Sequence, residues 1–113
     1  METITTSQHR CAELLRELDF RGVNSRHGEV YDGCYYVIVD LGRAGYVEVT
    51  IKNQKNGYEL LWYPHGHVST KGYVYLESAE TVGDVISTIR SVLDTFAKSV
   101  DQTRQLFRGK EES

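Results

Sequence analysis

Hydrophobic residues recur along this chain with two periods, helical at both ends and alternating in the middle. From Ser7 to Phe20, Cys11, Leu14, Leu15 and Leu18 fall at steps of three and four, one stripe of a helix. Thr6 or Ser7 suits its N-cap and Gly22 its stop, with Arg10, Glu13, Arg16 and Glu17 on the other side. The helical period returns through Val82, Val85, Ile86, Ile89, Val92, Leu93, Phe96 and Val100 and holds for about five turns, the strongest pattern present. Thr81 and Asp84 before it have capping-box spacing, with Asp in place of the usual Glu or Gln. Arg90, Asp94, Lys98 and Asp101 lie off the stripe.

Between the helices the period is two. Val47, Val49 and Ile51 point one way, and Tyr46, Glu48, Thr50 and Lys52 the other. Asp32-Gly33 separates Glu29–Tyr31 from Cys34–Leu41, and Asp-Gly suits a two-residue hairpin. Gly42-Arg43-Ala44-Gly45 makes the next turn and Asn56-Gly57 the third, before Tyr58–Tyr63. Pro64-His65-Gly66-His67 opens a longer loop, and Tyr73–Glu77 is the last strand. Short connections demand antiparallel neighbours. The expected fold is α+β: an antiparallel meander sheet of about five strands, with an N-terminal helix and a long C-terminal helix packed on one face. Residues 1–108 form one domain and 109–113 a disordered tail. Residues 35–39 and 60–63 are apolar on both faces, so their register stays open.

Composition narrows the function classes. An apolar fraction of 40% and a charged fraction of 26% fit a globular chain, not a disordered one. The net charge of −3 disfavours the basic field that duplex DNA or anionic membranes select. Its acidity sits in the helical ends: residues 21–76 carry six basic and five acidic groups, which leaves the sheet about neutral. Two cysteines make no disulfide framework, the start of the chain is polar, and no apolar run is long enough to span a membrane. A cytoplasmic protein is expected.

No catalytic or cofactor signature stands out. His65 and His67 could share a metal with His27 or Cys34, but nothing makes them converge, and a polar loop explains them; no metal is expected. Cys11 lies on an apolar stripe and Cys34 opens a strand, both contexts of inert thiols. Gly42–Gly45 matches the G-x-x-G clamp of one RNA-binding fold, yet strands flank it here rather than helices. The carboxylates show no acid–base pairing.

The tyrosines do stand out. All eight fall between residues 31 and 75, and neither helix has any. With Val47, Val49, Ile51, Val74 and Leu76 inward, Tyr46, Tyr73 and Tyr75 face away from the helices, joined by Tyr36 and Tyr63 and by Lys52. Tyrosine anchors protein interfaces and also stacks single-stranded nucleic acid. Leu60-Leu61-Trp62-Tyr63, a loop, Lys71-Gly72-Tyr73-Val74-Tyr75-Leu76 and an amphipathic helix resemble the end of the single-strand-binding transcriptional coactivator family. The likeness covers residues 60–93, and the family's basic flank is missing.

The expectation is a small non-enzymatic binding or regulatory protein: an adaptor, inhibitor or chaperone-like factor. It acts through Tyr36, Tyr46, Tyr63, Tyr73, Tyr75 and Lys52 on a protein partner, and forms a homodimer through that face or the last helix. Single-stranded nucleic acid on the same face, with Arg43, Lys52, Lys55 and Lys71 meeting phosphates, ranks second.

Overall fold

The computed structural model describes residues 6–31, 33–52, 57–64 and 72–112, with the side chains of 7–105 among them. Helix α1 (Thr6–Phe20) leads into strands β1 (Ser25–Tyr31), β2 (Cys34–Asp40), β3 (Tyr46–Ile51), β4 (Glu59–Tyr63) and β5 (Val74–Tyr75). Helix α2 (Val82–Glu112) follows. The strands pair in chain order, each antiparallel to the next, so the fold is an α+β meander.

Register decides which residues meet the helices. Val37 pairs with Val49, Val39 with Val47, Val47 with Trp62 and Val49 with Leu60. These residues and Ile51 form the helix-facing side. Cys11, Leu14 and Leu18 of α1 and Val82, Val85, Ile86 and Ile89 of α2 complete one buried cluster with them. Each fully buried Val, Leu or Ile contributes about 1.5–3 kcal/mol, which is why this face decides the strand pairing.

All five strand ranges differ from the alternation-based reading, β2 and β3 only by ending one residue early, at Asp40 and Ile51. β1 starts at Ser25, four residues early, because Arg26 and Ser25 supply the partners of Ile38 and Val39. β4 starts at Glu59, while Tyr58 makes an isolated bridge to Ala79, with main-chain hydrogen bonds of 2.7 and 3.0 Å. β5 keeps only Val74–Tyr75, paired with Trp62 and Leu61, although Leu76 N still donates to the Leu60 carbonyl at 3.1 Å. Gly42–Ala44 is one 3-10 turn rather than a simple hairpin turn.

Side chains pin the elements. Arg10, expected on the solvent side of α1, is half-buried and donates to the carbonyls of Gly57 at 2.6 Å and Lys52 at 3.1 Å. Its guanidinium lies 5.4 Å from the Tyr58 ring centre, a cation–π contact. Trp62 Nε1 donates to the Ala44 carbonyl at 2.6 Å, tying β4 to the 3-10 turn. Thr81 Oγ1 accepts from Asp84 N at 3.0 Å and caps α2. Beyond Val92 the apolar stripe of α2 loses its cover: Leu93 is exposed, and Phe96 and Val100 are half-buried. Among the described residues no helix is long and apolar enough to cross a membrane.

Candidate binding face

The side of the sheet turned away from the helices is organised in cross-strand rows. Asp40, Tyr46 and Tyr63 make one row, extended by Tyr73, whose ring centre lies 5.8 Å from that of Tyr63. Arg26, Ile38, Glu48, Leu61 and Tyr75 make the second. Gly28, Tyr36, Thr50 and Glu59 make the third. A one-residue slip after Glu29 places Tyr31 opposite Cys34 and so onto this side. Tyr35 and Tyr58 are the two tyrosines that pack toward the core. The face therefore collects Tyr36, Tyr46, Tyr63, Tyr73 and Tyr75 as the alternation implies, with Tyr31 added.

The rings are not equally open. Tyr75 is 75% exposed, but Tyr63 is only 5% exposed, held between neighbouring rows. Its hydroxyl donates to Glu48 Oε1 at 2.9 Å. Burial, that hydrogen bond and the Glu48 charge together push its pKa up to about 12. Tyr73 and Tyr75 meet edge to face at 5.2 Å, and their hydroxyls lie 3.4 Å apart. The hydroxyl of Tyr75 raises the Tyr73 pKa. Tyr36 lies across Gly28, where a Cβ would sit 2.6 Å from the Tyr36 hydroxyl, so the ring's place depends on that glycine.

Charge on the face is nearly balanced and already engaged. The Arg26 guanidinium stands 5.5 Å from the Tyr46 ring centre, and Lys52 Nζ lies 3.3 Å from Glu59 Oε1. Asp40 Oδ1 accepts from Gly42 N at 2.8 Å. Two shallow depressions flank Arg26. One, of about 310 Å³, is lined by Val30, Tyr36, Ile38 and Glu48. The other, of about 200 Å³, lies by Asn24, Asp40 and Tyr46. Arg26, Ile38 and Leu61 join the face beyond the residues that the sequence singles out. Once β3 is fixed, alternation carried into β2 and β4 assigns the last two.

Among the described residues, both thiols are buried. Burial raises the Cys11 thiol pKa, the opposite of what a nucleophile needs, and Cys34 is buried and unpaired. Among the described residues no group of three or more His, Cys, Asp or Glu could hold a metal ion. His65, His67, Lys55 and Lys71 lie outside the described residues, and Arg43 sits exposed on the 3-10 turn. No known family model, curated protein or solved structure matches this chain.

Proposed function

We propose that this chain is a non-enzymatic binding protein, an adaptor, inhibitor or chaperone-like factor, whose open sheet face takes up a protein partner. We further propose that it is cytoplasmic and works as a homodimer. One observation carries the reading: six tyrosines share a face with Ile38 and Leu61, and no described element covers it. Amphipathic rings of this kind give large contact area at low entropic cost, which suits the anchoring centre of a protein interface. Its two unpaired thiols are in keeping with a reducing compartment.

Single-stranded nucleic acid remains the second reading, because stacked rings also suit bases. The charges favour protein. The two cations of the face are engaged with Tyr46 and Glu59, and Asp40, Glu48 and Glu59 share the surface. Co-purification from the native host, analysed for protein and nucleic acid, separates the two. Protein retained when salt rises from about 50 to 200 mM supports the proposal; nucleic acid released steeply over that range supports the alternative.

A further inference from the structure

Strand β1 is the first strand of the sheet, and no described residue pairs with its outer edge. Asp40 N donates to the Asn24 carbonyl at 2.9 Å. Antiparallel alternation then aims the main chain of Asn24, Arg26 and Gly28 at β2, and that of Ser25, His27 and Glu29 outward. Folded proteins blunt such an edge with charged residues, proline, a bulge or a covering element. β1 has Arg26, Glu29 and the slip after Glu29, but neither lysine nor proline. Its end instead exposes Val30 by 58% and Tyr31 by 61%.

We infer that β1 is the docking edge for a second copy of this chain, paired antiparallel to itself about Gly28. The inference rests on the homodimer reading above but not on what the tyrosine face binds. A two-fold axis perpendicular to the sheet keeps like faces together, so residues on one side of the strand meet only their own kind. Centred on Gly28, it sets His27 opposite Glu29 of the second copy, once on each side of the axis. Both residues aim their main-chain groups outward, so each opposed pair exchanges two hydrogen bonds. Centring on His27 would oppose two imidazoles, and centring on Glu29 two carboxylates; of these registers only the one on Gly28 sets an imidazole N–H against a carboxylate.

The same register completes the binding face. Gly28 meets Gly28 at the axis, with the two chains at about 4.5 Å between Cα atoms because no main-chain bond joins that pair. Tyr36 of each copy already lies over its own Gly28, so the two hydroxyls approach one another above the axis. The depression lined by Arg26, Val30, Tyr36, Ile38 and Glu48 borders this strand, and Val30 of the second copy comes beside Arg26 to wall it. Two half-faces become one aromatic surface of doubled width, left open for a partner.

Sedimentation of the purified chain up to about 0.1 mM tests this. The wild type is expected to be a dimer. His27→Pro removes an outward N–H without breaking the β1–β2 ladder, and should give a monomer with unchanged circular dichroism. His27→Glu opposes like charges twice and should weaken the dimer roughly tenfold or more, and His27→Glu/Glu29→Lys should restore it. Full dimers of both single variants would overturn the edge while leaving a homodimer through another surface. A wild-type monomer at every concentration would overturn the homodimer reading as well, without touching the partner face.

Discussion

Tyr63 donates its hydroxyl to Glu48 diagonally across the β3–β4 pair at 2.9 Å, and this bond divides the tyrosine face into a fixed part and an available part. Tyr63 is buried by the contact, whereas Tyr73 and Tyr75 stack outward from it. Tyr63→Phe should cost about 1.5–3 kcal/mol in a urea melt at neutral pH, the range for a hydrogen bond to a charged group. It also alters the alkaline limb. The phenol titrates at 10.0 ordinarily and at about 12 in the fold, so ionisation is opposed by the folded state. That stability is fully present below pH 10 and is lost as pH rises toward about 12. Tyr58 and Tyr73 are raised in the same direction. Tyr63→Phe should therefore lessen the alkaline loss without abolishing it; equal losses in both proteins would contradict the assignment.

Arg10 joins α1 to the β3–β4 connection through the carbonyls of Lys52 and Gly57. Arg10→Ala should lower stability by about 2 kcal/mol, and Arg10→Lys should recover little, because one ammonium cannot reproduce the planar fork. Denaturant midpoints equal to wild type would show that α1 is held by its leucines alone.

Gly45 adopts φ +91° where β3 begins, and a Cβ there would overlap the Tyr63 carbonyl oxygen and lie 2.9 Å from Pro64 Cα. Gly45→Ala should cost on the order of 1–3 kcal/mol from backbone strain alone, with the added overlap pulling β3 from β4. Thermal melting checks this, and a change under about 0.5 kcal/mol would contradict it.

Ile89 is 5% exposed within the cluster that binds α2 to the sheet. Ile89→Asp places an unpaired charge there, at a cost of several kcal/mol against a total stability of about 5–15. Loss of soluble, cooperatively folding protein is expected. A folded Ile89→Asp protein would contradict the packing of α2 on the sheet.

The helices and the sidedness of β3 were legible in the sequence because each has an uninterrupted period. β2 was not. Ile38 is buried on the open side without any helix above it, within the row running from Arg26 to Glu48, so apolar residues occur on both faces. Tyr73–Glu77 reads as a full strand, but strand length depends on a partner. Beyond the two β5 pairs, only one main-chain bond among the described residues, Leu76 N to the Leu60 carbonyl, joins Leu76–Glu77 to β4. Arg10 looked like a solvent residue because its acceptors lie 42 and 47 positions away and leave no local trace. The tyrosine face followed from alternation in β3 and composition alone; the burial of Tyr63 required the packing around Glu48.

Tyr73→Ser/Tyr75→Ser tests the proposal that the open tyrosine face binds a protein. Tyr73 and Tyr75 lie outside the core cluster, and losing the Tyr63–Tyr73 and Tyr73–Tyr75 ring contacts should cost no more than about 1–3 kcal/mol. Affinity for the protein partner that co-purifies with wild type should be measured on the folded double variant at about 50 and 200 mM salt. Wild-type affinity is expected to change little with salt, and the variant to lose at least roughly tenfold. Equal affinity of wild type and folded variant would contradict it, and would move the search to the uncovered stripe of Leu93, Phe96 and Val100 on α2.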